Sequence, residues 1–383
     1  MVKMKNLNYI EKLKTFKKVA EALNQSQVNW GVGASLLLWF KGIVEDFHDV
    51  DLLVNLDSVS ELENILKQFG KEKPLVPNNH FQSDFFKTYI IDELEFDVIG
   101  GFRIIEKETH YFPFTTAYQI YDLDGISIPL DDLANWIDYY ALMNRKAKSD
   151  LVKDYYFNKL QEELVNQSEE HIKRYQSRVI PNIDSSTIIG VSLPKLRRIA
   201  KKIVMKDFDL FKKINRPITL ENILVEGMAI GYYQTDFQSK WQLVEEYLPL
   251  INNWETCDTF VASLKFGDAD LKRVFTLIKE YANSQDSCRI RFMLVMMICN
   301  FNNRSYHKEL LEIIEQIECD DYYVKMAVAW LLTEVYLVDQ NLVLNYLNCC
   351  GIDDFTYNKT LQKICESLKV DDDTKKRIRK LKR

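Results

Sequence analysis

The sequence is poor in the two residues that interrupt regular structure, with 12 glycines and 8 prolines among 383 residues. This scarcity favours long helices joined by short turns over many tight hairpins. No apolar run reaches the roughly 18 residues that a membrane-spanning helix requires. Residues 1–14 also lack the apolar stretch of a signal peptide. We therefore expect no membrane partner.

Disulfide patterns and a strong basic charge are also missing. The seven cysteines form no CxxC pair and all lie in the second half of the chain, which predicts reduced thiols, most of them in the core, and a cytoplasmic location. The formal net charge is −6, and residues 161–383 hold as many acidic as basic residues. A nucleic-acid surface would therefore have to be a local basic patch.

The chain has two parts with different sequence patterns. Between residues 28 and 105 short β-type runs alternate with helices, and Val50–Val54 and Val59–Phe69 are the clearest strand and helix. From residue 168 onward only amphipathic helices of about 10–17 residues follow, as in a HEAT-like helical solenoid. We predict a multi-domain protein with an N-terminal α/β (α+β) domain over residues 1–155, then an all-α solenoid over residues 165–383. A long helix over 150–167 is expected to join them.

Acidic residues mark the first candidate site. Asp49 and Asp51 are two apart at the start of a strand, so their side chains point to the same face. Asp97, on a later strand, could join them, and three carboxylates suit Mg²⁺. The turn around Gly33 and Ser35 opens a helix and could offer N–H groups to a triphosphate. A strand that begins with solvated acids is the alternative interpretation.

These residues resemble the nucleotidyltransferase superfamily, which includes polymerase-β-like enzymes and antibiotic nucleotidyltransferases. Its pattern is a glycine turn, a short spacer, Asp-hydrophobic-Asp and a third acid, over about residues 25–145 here. Ala34 stands where the family usually has Gly or Ser. The resemblance implies two-metal nucleotidyl transfer, with metals held by Asp49 and Asp51, deprotonation of the attacking hydroxyl helped by Asp97, and a nucleotide bound near Gly33 and Ser35.

A basic helix marks the start of the second half. Ser192 is a candidate N-cap and Pro194 fits the first helical turn. Five basic residues follow within eight positions: Lys195, Arg197, Arg198, Lys201 and Lys202. They form either a solvated helix face or a surface that contacts DNA phosphates.

Aromatic and charged residues on later helices form the other candidate site. Trp254 and Asp258 are four residues apart and share a helix face. Arg291, or the competing Arg289, lies on a second helix and Trp330 on a third. Tryptophans at helical spacing also fit a protein core.

The second half contains the segments GVSLPKLRRIAKK, NNWETCD, RIRF and YYVKMAVAWLLTE. Together they resemble the HEAT-like-repeat DNA alkylation repair glycosylases, the AlkD family, over about residues 165–383. The resemblance implies that Trp254, Asp258, Arg291 and Trp330 line a cleft that excises cationic N3- and N7-alkylated purines from duplex DNA. In that reaction Asp258 stabilises the oxocarbenium charge, the indoles pack on the lesion, Arg291 holds a phosphate, and no cofactor is needed.

The leading hypothesis is therefore a DNA repair glycosylase, a hydrolase of the N-glycosidic bond. One alternative is a Mg²⁺-dependent nucleotidyltransferase that uses a nucleoside triphosphate at the Asp triad, with the solenoid as acceptor platform. The other is a non-catalytic nucleic-acid-binding scaffold.

Overall fold

The computed structural model describes residues 9–74 and 83–383, so the first eight residues of the segment 1–14 lie outside the described part. The chain divides into two compact units, the first ending at Lys159 and the second running from Leu160 to Arg383. The division falls inside one long helix, α5 (Lys146–Asn166). The prediction that an α/β region is followed by an all-helical region is confirmed.

The first unit combines a mixed sheet with helices on its surface. Its other helices are α1 (Tyr9–Asn24), α2 (Ala34–Phe40), α3 (Val59–Phe69) and α4 (Asn135–Leu142). Its strands are β1 (Trp30–Val32), β2 (Val50–Val54), β3 (Lys71–Glu72), β4 (Phe85–Ile91), β5 (Leu94–Gly100), β6 (Phe102–Ile105), β7 (Thr109–Phe112), β8 (Gln119–Leu123) and β9 (Ile126–Leu130).

Strand pairing in the first unit brings the acidic strands side by side. The main sheet has the order β3-β4-β5-β2-β1-β9-β8, and β6 pairs with β7 separately. Strand β2 runs parallel to β5 and antiparallel to β1. Because side chains alternate along a strand, Leu52 and Val54 are buried on one face while Asp51 and Leu53 lie on the other. The polar side of β2 therefore faces the candidate site.

The sequence patterns predicted the limits of some helices and strands accurately and missed other strands. The strand Val50–Val54 and the helix Val59–Phe69 have the predicted limits. The region 106–130, for which the sequence predicts no complete strand, contains β7, β8 and β9. Strand β8 is exposed at four of its five positions, so its sequence carries little alternation, and its pairing with β9 is what makes it a strand.

The second unit is a solenoid of short helices. They are α6 (Glu170–Val179), α7 (Leu193–Lys206), α8 (Phe208–Ile214), α9 (Leu220–Tyr232), α10 (Phe237–Tyr247), α11 (Trp254–Ser263), α12 (Asp268–Lys279), α13 (Ser287–Asn300), α14 (His307–Ile314), α15 (Tyr322–Val338), α16 (Gln340–Leu347), α17 (Asp354–Glu366) and α18 (Asp372–Arg379).

Alternate helices of this unit form a row. The helices α7, α9, α11, α13, α15 and α17 each pack against the next member of the series, while intervening helices such as α10, α12 and α16 pack against members of the row. This is the arrangement of a helical-repeat solenoid, in which each repeat contacts its neighbours. Within the described residues, no helix combines the length and apolar character needed to cross a membrane. The row carries all four residues of the predicted repair site.

Candidate functional site

Three carboxylates meet in a cleft of the first unit. Asp51 on β2 lies opposite Asp97 on β5 in the parallel register, so both side chains leave the same face of the sheet. Asp49, two residues before Asp51, also lines this cleft of about 230 Å³. The structure thus brings together the three acids that the sequence singled out.

The cleft holds these acids under mutual repulsion. Desolvation raises the pKa of Asp51 well above its usual range, and the charges of Asp49 and Asp97 raise it further. Burial also raises the pKa of Asp97, although a hydrogen bond from Thr88 Oγ1 to its Oδ1 (2.5 Å) opposes the effect. Such repulsion is relieved when a cation binds between the carboxylates.

Gly33 and Ser35 have structural partners in this state. The N–H of Gly33 donates to the carbonyl of Asp51 at 3.0 Å, and a Cβ at Gly33 would lie 2.4 Å from the Trp136 ring. Ser35 Oγ donates to Oδ1 of Asp49 at 2.9 Å. The glycine is therefore needed for close packing, and its own N–H is not free for a phosphate.

The residue between them has an unusual backbone. Ala34 has a φ of 41°, in the left-handed region that favours glycine. It is the position where the sequence departs from the nucleotidyltransferase pattern. The turn thus keeps a glycine-like conformation with an alanine in it.

Basic and aromatic side chains face the acids, and the sequence had not identified them as site residues. Arg145 and Lys148, around the start of α5, line the same cleft, and their charges lower the pKa of Asp51. Phe86, Phe102 and Trp136 also line the cleft. The local signal for the two cations was weak because they lie in a stretch with many charges, far along the chain from the acids.

The donor chemistry of the cleft fits a hard divalent cation, because carboxylate oxygens are the ligands that Mg²⁺ prefers. In residues 9–74 and 83–383, however, no three His, Cys, Asp or Glu side chains are already grouped as a metal site. Asp49 accepts a hydrogen bond from the Ser35 hydroxyl, and Asp97 accepts one from the Thr88 hydroxyl. Each hydroxyl bonds only the Oδ1 atom of the carboxylate, so both carboxylates can keep these hydrogen bonds and bind a metal through Oδ2.

The second candidate site is centred on an ion pair between two helices of the row. Arg291 on α13 donates from Nε and Nη2 to Asp258 on α11, at 2.8–3.2 Å, and from Nη1 to the carbonyl of Tyr323 at 2.7 Å. The Arg291 side chain is 8% exposed and that of Asp258 23%. Burial raises the pKa of Asp258, while Arg291 opposes this effect. The carboxylate is therefore held in place with part of its surface open.

Arg289, the competing choice, points elsewhere. Its Nη1 donates to Glu245 at 2.9 Å, its Nε is 3.9 Å from Asp286, and its guanidinium lies 5.3 Å from the Tyr281 ring centre. Positions 289 and 291 are about 200° apart around a helix. The geometry therefore associates Arg291, and not Arg289, with Asp258.

Both tryptophans of the predicted site lie at the edge of the core. Trp254 is half-buried and its indole Nε1 donates to the carbonyl of Val179 at 3.0 Å. Trp330 is also half-buried, and its Nε1 donates to Glu334 at 3.2 Å. Each indole therefore keeps an exposed part while its N–H is fixed by the protein.

Charges from four neighbouring helices converge on this region. The pKa of the Cys299 thiol on α13 is raised by desolvation, although the residue is exposed at the surface, and the nearby carboxylates of Asp258 and Glu334 raise it further. Lys363 on α17 lowers the pKa of Asp258. Glu334 and Lys363 were not predicted from the sequence, although Glu334 follows Trp330 by one helical turn.

The basic helix α7 is partly neutralised by its own surroundings. Ser192 is its N-cap residue, without a side-chain hydrogen bond. Lys195 donates to Glu169 and Lys202 to Glu163, both at 2.7 Å, and Lys201 lies over the Tyr232 ring. Arg197 and Arg198 are exposed and make no ion pair within the described part of the chain. These two arginines are the best placed of the five for contact with an outside anion.

Comparison with protein families decides the relationship of the second unit. The family model described as DNA alkylation repair enzyme matches residues 160–364, more than half of the chain. The chain belongs to the DNA alkylation repair enzyme family. The match covers the helices α6 to α16 and almost all of α17, so this repair-family region contains Trp254, Asp258, Arg291 and Trp330.

Solved structures resemble the part of this repair-family chain that precedes the matched region. A candidate nucleotidyltransferase from Thermotoga maritima is 22% identical, covers 39% of this chain and 94% of its own, and has a TM-score of 0.32. The structure of ANT(2″)-Ia in complex with adenylyl-2″-tobramycin is 12% identical, covers 37% of this chain and 87% of its own, and has a TM-score of 0.27. A comparison with curated proteins gave no match.

Proposed function

We propose that the solenoid binds duplex DNA and removes cationic N3- or N7-alkylated purines by hydrolysis of the N-glycosidic bond. The observation that carries this proposal is the partly open Asp258 carboxylate, fixed by the buried Arg291 guanidinium on a row of helices that also presents Trp254 and Trp330. Membership of the DNA alkylation repair enzyme family supports it.

The residue types suit the chemistry. An N3- or N7-alkylated purine already carries a positive charge. When the C1′–N bond breaks, the bonding electrons move to the purine ring, and the base leaves as a neutral molecule. The sugar then gains oxocarbenium character, which the Asp258 carboxylate stabilises while it orients the attacking water. Water adds to C1′ and loses its proton to the carboxylate or to solvent. The exposed indole faces attract the cationic base by about 1 kcal/mol each.

We assign Arg291 a positioning role instead of the phosphate contact that the resemblance implied. Its guanidinium is turned inward, with one edge on Asp258 and Nη1 on the Tyr323 carbonyl. A bidentate arginine fixes the orientation of a carboxylate and keeps it ionised. Phosphate contacts are better supplied by the exposed Arg197 and Arg198 on α7.

Base release from duplex DNA containing N7-methylguanine and N3-methyladenine tests this function. We expect release above the spontaneous rate, loss of release in Asp258→Asn, and full release in the control Asp373→Asn, whose side chain is 86% exposed on α18. Asparagine can still accept a hydrogen bond from Arg291, and circular dichroism checks that the variant is folded. Release by Asp258→Asn at the parent rate, or no release by folded protein that binds DNA, would contradict the proposal.

A second function is favoured by the cleft of the first unit, where Arg145 and Lys148 face three carboxylates. We propose nucleotidyl transfer there as the alternative. Mg²⁺ would be held by Asp49, Asp51 and Asp97, and when bound it would neutralise triphosphate charge. Arg145 and Lys148 would bind phosphate oxygens, and Asp97 would accept the proton of the acceptor hydroxyl. The acceptor oxygen would bond to the α-phosphorus of the triphosphate, and pyrophosphate would leave. This alternative gives the two units separate chemistry.

Incorporation of radiolabelled nucleotide into the protein, RNA or added small molecules, with and without Mg²⁺, tests the alternative. We expect Asp49→Asn to abolish incorporation without changing base release, and Asp258→Asn to do the reverse. If both reactions are absent while DNA binding persists, the non-catalytic scaffold is the correct description.

A further inference from the structure

A second cavity lies beside the carboxylate cleft in the first unit. It measures about 320 Å³, within the range of small-molecule sites. We call it the aromatic pocket, defined by Phe112, Phe114, Tyr118, Asp131, Asp132 and Tyr139. Phe102 borders both cavities, so the aromatic pocket and the cleft are neighbours.

The sheet makes room for this pocket at a glycine. A Cβ at Gly31 on β1 would lie 2.7 Å from the Phe114 ring, so only glycine allows that ring to lie against the strand. Strand β9 ends at Leu130, and the chain then turns towards α4. This turn places Asp131 and Asp132 in the lining of the pocket.

The two acids bring negative charge that no side chain neutralises directly. Asp131 Oδ2 accepts from Trp136 Nε1 at 2.9 Å, and Asp132 Oδ1 accepts from the N–H of Ala134 at 2.9 Å. Neither carboxylate forms an ion pair with a basic residue within residues 9–74 and 83–383. Lys41 is the basic residue near Asp132, but burial lowers the pKa of Lys41 in spite of that acid, and its ammonium group donates to Gln119. Both carboxylates are half-buried and lack a basic partner among the described residues, which favours a cationic ligand.

Tyr139 supplies a hydroxyl to the lining of the pocket. It is 8% exposed, yet its hydroxyl has no hydrogen-bond partner in the described part of the chain. Burial is the main cause that raises its pKa, and the charges of Asp131 and Asp132 raise it further, so the hydroxyl lies near both acids. The hydroxyl is not one of the fully buried unpaired atoms of the described residues, so it is accessible from the pocket and can hydrogen-bond to a bound group.

The aromatic rings of the pocket favour an organic ammonium ion over a metal ion. The centres of Phe112 and Tyr139 are 4.4 Å apart, and Phe114 and Tyr118 form further walls. Aromatic faces attract ammonium groups and pack against methylene carbons, whereas a hydrated metal ion prefers oxygen ligands on every side.

We propose that the aromatic pocket binds an organic ammonium compound, with its charged nitrogen at Asp131 and Asp132, a hydrogen bond to the Tyr139 hydroxyl, and its carbon chain against the rings. This assignment concerns binding alone and does not depend on either reaction proposed above. It is the pairing of carboxylates with ring faces that distinguishes the site from an ordinary acidic surface.

Calorimetric titration of the full chain with n-butylammonium, at pH 8 and 150 mM salt, tests the proposal. n-Butanol serves as the neutral ligand of similar shape. We expect butylammonium to bind at least about tenfold more tightly than butanol. Asp132→Asn and Tyr139→Phe should each weaken butylammonium binding, while Asp122→Asn, an exposed acid on β8, should leave it unchanged.

Several outcomes would overturn this assignment. They are equal affinity for butanol and butylammonium, no heat up to 10 mM ligand in folded protein, and equal weakening in Asp122→Asn. Tighter binding of Mg²⁺ than of butylammonium, abolished by Asp132→Asn, would show a metal site instead. Should Asp132→Asn fail to fold, Tyr139→Phe removes only one oxygen and keeps the test decisive.

Discussion

Arg291 and Asp258 form a bidentate ion pair across two neighbouring helices, with Nη2 lying 2.9 Å from Oδ1 and 2.8 Å from Oδ2. The arginine is almost fully buried while the carboxylate keeps part of its surface open. The pair thus connects the stability of the row of helices to the residue that we place at the centre of base excision.

Removal of Arg291 should destabilise the protein far more than removal of Arg289. Arg291→Met leaves the Asp258 carboxylate desolvated without its partner, at a cost of about 3 kcal/mol. Arg289→Met breaks a partly exposed pair with Glu245, which should cost less than about 1 kcal/mol. Urea denaturation of both variants measures the difference. Equal losses would show that the Arg291–Asp258 pair does not have the assigned importance.

Arg197 and Arg198, the exposed arginines of α7, should contribute to DNA affinity through phosphate contacts. If each neutralises one phosphate, Arg197→Gln/Arg198→Gln should reduce the slope of log K against log salt by about 2. Lys195→Gln/Lys202→Gln is the matched control, because Glu169 and Glu163 already pair with those lysines. Binding of an undamaged duplex by anisotropy, at several salt concentrations, distinguishes the two variants. A larger effect in the lysine variant would contradict the assignment.

The buried carboxyl of Asp131 should make stability depend on pH. Burial raises the pKa of Asp131 to about 6 from an ordinary 3.8. Between these values the folded state keeps a proton that the unfolded state has lost, so this group's contribution to stability falls as pH rises from about 4 to 6. Asp131→Asn removes that loss. The Tm of Asp131→Asn should therefore rise relative to the Tm of the parent between pH 4 and pH 7. A constant difference between the two Tm values would show that the pKa of Asp131 is ordinary.

The left-handed backbone of Ala34 should be a small source of strain. A residue with a Cβ in this region costs roughly 1 kcal/mol relative to glycine, and the added freedom of glycine in the unfolded chain offsets part of that. Ala34→Gly should therefore raise stability by up to about 1 kcal/mol. Ala20→Gly is the control, since Ala20 is buried inside α1 and should lose about 1 kcal/mol. Thermal denaturation measures both, and destabilisation by Ala34→Gly would show that φ at this position is not positive in solution.

Local signals predicted much of the fold and the residue types of both sites. The alternation in Val50–Val54 and the apolar spacing of Val59–Phe69 arise from residues that are close in sequence, and their limits agree with the structure. Trp254 and Asp258 share a face because both belong to α11. Strand β8 and the salt bridges of Lys195 and Lys202 were not predictable in this way, because their partners are supplied by other segments of the chain.

The sequence alone determined that two kinds of unit follow each other and that acids, tryptophans and arginines recur at helical or strand spacing. Only the tertiary structure decided that Arg291 faces Asp258 while Arg289 faces Glu245, since two positions on one helix point to opposite sides and packing selects the inner one. It likewise placed Arg145 and Lys148 opposite Asp51, and enclosed Asp131 and Tyr139 in a single pocket. Charge effects depend on distance and on water exclusion, and both are set by packing between segments that are far apart in the chain.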